Sequence, residues 1–248
     1  MKNRSLNYLV IAAFAISAAF TSCEKNNDDN GKGNGTDTTG NGNEKVQLVK
    51  TITWDFNDYS YYQEFKYDEK NRLTTVTTHA DGQVRIATFT YSGDDLVKFI
   101  DYPDGLCMMD FSKNGNKIGV TTTEGGNIHK STFELNSDGY PITFKSEDYV
   151  GATTYQYSDG NLVSIAGEMM YKHDNKKSPF YDCKSPKWFR FPLGLTDPPL
   201  LYYLGIKNNI TEMNITGEMP IPFTYEYDEN GFPTKMLFIG YVVTFTYK

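Results

Sequence analysis

The sequence predicts an all-β chain: a long antiparallel β-meander of hairpin repeats, curled into an open barrel or half-barrel, with one short helix in an insertion. Three observations predict it. The first is a triplet of aromatic, polar and aromatic residues, as in Phe65-Lys66-Tyr67, Phe89-Thr90-Tyr91, Tyr155-Gln156-Tyr157, Tyr225-Glu226-Tyr227 and Phe245-Thr246-Tyr247. Its period of two is that of a half-buried strand. The second is that each internal triplet runs into Asp, Asn, Ser and Gly ("DEKN", "SGDD", "SDGN", "DENG"), the residues of tight hairpin turns. The third is spacing. Triplet starts at Phe65, Phe89, Met109, Phe133 and Tyr155 lie 20 to 24 residues apart, room for two ordinary strands and two turns.

Taken in chain order, the first element is not part of the fold. Lys2 and Arg4 precede an apolar run from Tyr8 to Phe20 that is too short for a mature membrane span, so residues 1–22 read as a signal peptide. "FTSC", Phe20 to Cys23, resembles the lipobox of bacterial lipoproteins. The resemblance implies that Cys23 becomes the lipidated first residue and that the membrane is a partner through this anchor. Residues 23–44 form a tether: Glu24 to Asn43 contains no apolar side chain and cannot offset its ordering entropy. A chain of this length reaches about 25 Å on average. The acidic cluster after Cys23 resembles the export signal of surface-exposed lipoproteins in Bacteroidetes-type bacteria. It implies an outer-membrane lipoprotein at the cell surface, a periplasm-facing one being the alternative.

Residues 45–248 read as a single β-repeat domain. Seven hairpin starts imply roughly 14 strands, and accumulated twist makes so large a sheet curl. Curling places the aromatics inside and Lys66, Thr90, Glu134, Gln156, Glu226 and Thr246 in water. The phrase breaks at an insertion over about 178–221. Within it, "TDPPLLYYLGIKNN" reads as a short helix with Thr196 or Asp197 as cap, Pro198 in the first turn and Leu200, Leu201 and Leu204 as its buried stripe. Trp188, Phe189, Phe191, Tyr202 and Tyr203 gather beside Lys187 and Arg190 in the same stretch. Such a group either plugs the curled sheet or stacks on a ligand.

The phrase "YxYDxxGxPxxM" at 225–236, with "YKHDNKKSPF" at 171–180 and the long insertion after it, resembles a bacterial lipoprotein family known as a domain of unknown function with a porin-like fold. The resemblance covers most of the chain after the tether and implies a curved antiparallel sheet with no activity or catalytic residue to carry over. The short Tyr-Asp units are also similar to the YD repeats of bacterial Rhs proteins.

The formal net charge of −7 becomes −9 once Lys2 and Arg4 are removed, which argues against a nucleic-acid partner. No HExxH, GxSxG, Walker-type loop or CxxC pair is present. His79, His129 and His173 fall near expected turns and read as solvated. The acidic turns lack the spaced carboxylates of a calcium loop. No catalytic residue, metal ligand or cofactor is therefore expected. The function that remains is a non-catalytic binding or structural module with a glycan or protein ligand. A carboxylate-dependent hydrolase of surface glycans and a pore-forming or outer-membrane-associated barrel are the alternatives. Replacing Cys23 with Ala is expected to release the protein from the membrane fraction; retention after a carbonate wash would overturn the lipidation reading.

Overall fold

The recurring phrase folds as a side-chain-capped turn. Asp68 Oδ1 accepts hydrogen bonds from the backbone N–H of Lys70 and Arg72 at 3.0 and 2.9 Å. Asn136 Oδ1 does the same for Asp138 and Tyr140, and Asp228 Oδ1 for Asn230 and Phe232. In each turn the fourth residue, Asn71, Gly139 or Gly231, takes positive φ, the conformation that Gly and Asn adopt most readily.

The computed structural model describes residues 45–248 except 57–58, 81, 103–106, 149 and 191–206. Its strands are β1 (Val49–Phe56), β2 (Tyr59–Tyr67), β3 (Leu73–Ala80), β4 (Gln83–Ser92), β5 (Asp95–Tyr102), β6 (Cys107–Asn114), β7 (Lys117–Glu124) and β8 (Asn127–Leu135). They continue as β9 (Pro141–Ser146), β10 (Thr153–Ser158), β11 (Asn161–Ile165), β12 (Met169–Lys177), β13 (Asn208–Ile215), β14 (Ile221–Tyr227), β15 (Pro233–Phe238) and β16 (Tyr241–Tyr247). Each pairs antiparallel with its sequence neighbours, and β1 pairs with β16.

The expected open barrel is therefore a closed one. Ile52 lies opposite Phe245 and Trp54 opposite Val243, so first and last strands present their apolar sets to the same face and have no edge left to expose. There are sixteen strands rather than about fourteen because β1, β12 and β13 lie outside the seven expected hairpins, while β16, the seventh start, pairs with β15 and β1 instead of opening a hairpin. The insertion is also shorter, spanning 178–207. From Asn208 the chain is a strand again, with Met213 and Ile215 on one face and Glu212 and Asn214 on the other. The helix expected over 196–208, with Leu200, Leu201 and Leu204, lies outside the described residues up to Ile206. The described part of the insertion holds one 3-10 turn, Lys187–Arg190.

Alternation sends Phe65, Phe89, Phe99, Phe111, Phe133, Phe223 and Phe245 inward. Sixteen strands enclose a bore that strand side chains alone do not fill. Residues 178–190 fill part of it. Phe189 stacks edge-on against Phe89 and Phe111, Trp188 against Phe111, and Phe180 against Phe65, with ring centroids 5.1–5.5 Å apart. Hydrogen bonds fix this plug to the surrounding wall. Ser185 Oγ accepts from the Leu73 N–H at 2.9 Å and shares a hydrogen bond with Tyr91 Oη at 3.0 Å. The Lys184 N–H donates to the Asn71 carbonyl, and Asp182 Oδ2 accepts from the Gln47 N–H. The pairs β9–β10, β11–β12 and β13–β14 ladder over only two residues each, close to their connecting turns. Toward the plug other bonds take over, such as Tyr225 Oη donating to the Ile210 carbonyl at 2.8 Å.

Val46–Lys248 is one compact unit that contains every described strand pair and the whole described core, so it can fold without the residues before it. Both remaining cysteines, Cys107 and Cys183, are free thiols. Trp188→Ala is expected to cost about 3–5 kcal/mol, as other core truncations of large aromatics do; a chemical unfolding midpoint equal to wild type would show that Trp188 does not support the core.

Candidate functional site

Of the residues expected to gather in the insertion, two are described as buried. Trp188 and Phe189 are 6 % and 1 % exposed, inside the barrel. Lys187 is exposed, with its ammonium 4.3 Å from the centre of the Tyr140 ring. Arg190 closes the same 3-10 turn. Phe191, Tyr202 and Tyr203 lie outside the described residues, as does Cys23. Trp188 and Phe189 thus serve the core.

The barrel has two ends. One carries the plug, the chain entry at Val46 and the Asx-capped turns. The other, the mouth, carries the connections β1–β2, β3–β4, β5–β6, β7–β8, β9–β10, β11–β12, β13–β14 and β15–β16. At the mouth, the outward positions Thr53, Tyr62, His79 and Val84 form one row across β1 to β4, since Thr53 pairs with Tyr62, Tyr62 with His79 and His79 with Val84. Tyr62 and His79 stack with ring centroids 4.4 Å apart and planes 4° from parallel. Glu64 Oε2 lies 3.6 Å from His79 Nε2. Ser60, Gln83 and Gly82 complete a groove of about 390 Å³ beside this pair. Its described lining offers hydroxyl, amide and aromatic groups and no carboxylate. Such a lining hydrogen-bonds and stacks on a neutral polar ring.

On β4 to β8 the inward positions nearest the mouth are polar, while Met169, Met213, Ile221 and Phe238 line the inner wall on β12 to β15. Arg85 Nη2 lies 2.6 Å from Asp101 Oδ2, and Asp101 is opposite Cys107, which is opposite Glu124. Burial, then Glu124 and Asp101, push the Cys107 thiol up to about 11, so it stays protonated at neutral pH. His129 Nδ1 is 2.9 Å from Asp148 Oδ2, which also accepts from Ser146 Oγ at 3.2 Å. Asp101 is engaged by Arg85, and among the described residues no group of three or more His, Cys, Asp and Glu is placed to hold a metal ion.

None of the three histidines is a plain turn residue. His79 stacks in a strand, His129 faces inward on β8, and His173 faces inward on β12 opposite Ile210. The groove at Tyr62 and His79 was not singled out in the sequence, yet it left a signal. In "YSYYQEFKY" the inward parity is Tyr61, Gln63, Phe65 and Tyr67, so Tyr62 is an aromatic on the polar parity.

No protein-family model and no curated protein matches the sequence. Among solved structures, a porin-like protein from Bacteroides uniformis aligns with a TM-score of 0.38 at 16% identity, covering 81% of this chain and 98% of that chain. A porin-like protein from Bacteroides vulgatus aligns with a TM-score of 0.38 at 10% identity, covering 82% of this chain and 99% of that one.

Burial lowers the His173 imidazole to about 4, with neighbouring Asp174 opposing the shift. The folded state therefore keeps His173 neutral over a range in which the unfolded chain, titrating near 6.5, takes up a proton. Its contribution is present in full above pH 6.5 and is lost as pH falls toward 4, by up to roughly 2–3 kcal/mol. His173→Gln is expected to flatten the stability profile between those pH values relative to wild type; parallel profiles would overturn this.

Proposed function

We propose that this chain is a cell-envelope lipoprotein, anchored through Cys23, that acts as a non-catalytic binding module for a neutral glycan. The observation that carries the reading is the groove at the mouth of β1–β4, where the stacked Tyr62–His79 pair borders hydroxyl and amide groups with no carboxylate in the described lining. Its volume falls within the range of small-ligand sites, about 300–1,000 Å³. A sugar ring presents both an apolar face for stacking and hydroxyls for Thr53, Ser60 and Gln83. The closed barrel holds these residues on four adjacent paired strands, so the groove is preorganised and a bound sugar costs little in ordering.

Two features support a binder over a pore. The described interior is packed with aromatic side chains and the 178–190 plug, whereas a channel-forming barrel has a polar, water-filled lumen. Over the plug half the outer face carries Thr, Lys and Glu, with ion pairs such as Lys98–Asp110 and Lys235–Glu226. A hydrolase needs paired carboxylates across the ligand. The groove's described lining supplies none.

A glycan array probed with the chain from Glu24 onward tests the reading. Binding to neutral oligosaccharides is expected, and Tyr62→Ala is expected to weaken it about tenfold or more. Because Tyr62 is partly exposed, its melting temperature should stay near wild type. Absence of any glycan binding, or binding unchanged by Tyr62→Ala, would refute the assignment.

A further inference from the structure

The hydrophobic set changes face partway along several strands. In β4, Gln83 and Arg85 face inward while Val84 and Ile86 face outward; from Ala87 onward the order reverses, with Phe89 and Tyr91 inside and Thr88 and Thr90 outside. β8 repeats this. Asn127 and His129 are inside and Ile128 outside near the mouth, and then Phe133 is inside with Lys130 and Thr132 outside. In β5 the residue nearest the mouth on the inner face is Asp101, with Ile100 outside. The period of two is unbroken, so this is a switch of environment along the barrel axis rather than a register slip. The plug half has the pattern of a barrel in water; on β4, β5 and β8 the mouth has apolar residues out and polar residues in, the pattern of a barrel in lipid, whereas Met169, Met213, Ile221 and Phe238 keep the inner wall apolar at the mouth of β12 to β15.

The tips agree with the walls. Six of the eight mouth-end hairpins are described at or beside their tips, and each presents an exposed large apolar side chain: Val84, Ile128, Val150, Met170, Met219 and Ile239. Val150, Met219, Ile128 and Ile239 are 95%, 85%, 66% and 61% exposed. At the plug end only Val46, Ile142 and Tyr181 are comparably exposed among the described residues. Ile239 breaks a local rule to be there. Ile239 and Gly240 have φ of 47° and 78°, the two-residue turn that favours Asn-Gly, and a β-branched residue at positive φ is strained. The turn gives up stability and keeps an apolar tip.

We propose that the mouth end dips into a lipid surface, to the depth of its headgroup layer, and that the ring of apolar tips is the contact. From Gly82 to Ile86 the chain advances about 10 Å along the axis at ordinary rise and tilt. The next outward residues, Thr88, Lys130 and Lys172, are polar, so the apolar zone ends there. That height matches the roughly 5–10 Å by which interfacial segments enter a bilayer. A lipid surface is the partner that meets every tip of a closed ring at once, with no directional pairing required. A second copy placed mouth to mouth would bring one ring of carboxylates, Glu124, Glu147, Glu168 and Glu218, against the same ring of its partner. The same carboxylates specify a surface rich in zwitterionic headgroups over one rich in anionic lipid. The glycan groove opens at this rim, which sets a bound sugar at headgroup level.

The test is flotation of the chain from Glu24 onward, which carries neither leader nor lipid, with vesicles of phosphatidylcholine. Wild type is expected to float. A variant with Ile128→Ser, Val150→Ser, Met219→Ser and Ile239→Asn is expected to lose about tenfold or more in vesicle affinity. Because the tips are exposed, that variant should still unfold cooperatively. Ile239→Asn alone is expected to raise the melting temperature while lowering vesicle binding, a combination a purely structural residue does not produce. Replacing a third of the lipid with phosphatidylglycerol should weaken binding. Failure of wild type to float, equal flotation of the tip variant, or stronger binding to anionic vesicles would overturn the proposal. So would a dimer in light scattering that the tip variant dissolves, which would make the ring a self-interface. These vesicles contain no sugar, so their outcome is separate from that of the glycan array.

Discussion

Everything in this barrel depends on filling its bore. Sixteen strands close around more space than their own inward side chains occupy, and closure is stable only if that space is packed. The inward phenylalanines supply part of the volume, and residues 178–190 supply more, with Phe180, Trp188 and Phe189 resting on the rings of Phe65, Phe111 and Phe89. The wall adapts to this guest. The β9–β10, β11–β12 and β13–β14 ladders are short and give way to side-chain bonds toward the plug, while Ser185 and Lys184 fasten the plug to the β2–β3 turn and its strand.

Filling one end leaves the other free to differ. At the plug end the turns are capped by their own Asp or Asn, and the outer wall is laced with charge pairs of the kind water tolerates and that contribute little individually. On β4 to β8 the inner wall of the mouth carries Arg85, Asp101, Glu124 and His129, and the hairpin tips carry exposed aliphatic side chains. These strands are amphipathic along the barrel axis as well as across the sheet. A groove with an aromatic pair at the boundary between these regimes has apolar surface on one side and hydrogen-bonding groups on the other, which is the composition a sugar ring at a lipid surface requires.

The hairpins were legible because they are local. Period-two alternation at Phe65-Lys66-Tyr67 and the Asp, Asn and Gly that follow act within a dozen residues, and the structure has strand, turn and strand there. Val49–Phe56 was missed as a strand although it carries the triplet Trp54-Asp55-Phe56, because that triplet closes the strand rather than running into a turn phrase such as "DEKN" or "DENG". The groove was missed because one outward aromatic, Tyr62, means little until its cross-strand neighbour is known to be His79. The switch of face in "QVRIATFTYS" was written in the sequence as well, but alternation alone does not say which parity points inward.

The sequence by itself determined the all-β class, the antiparallel neighbour-to-neighbour order and the chemistry of the turns, since each of these depends on residues close together along the chain. Closure, the burial of Trp188 and Phe189, the row of Thr53, Tyr62, His79 and Val84, and the gathering of apolar tips at one end were decided by tertiary structure alone. Each of those depends on which residues of distant strands come to lie side by side, as Ile52 meets Phe245 across the closing pair of strands and Phe189 meets Phe89 inside the bore, and close packing of one shared core holds them there.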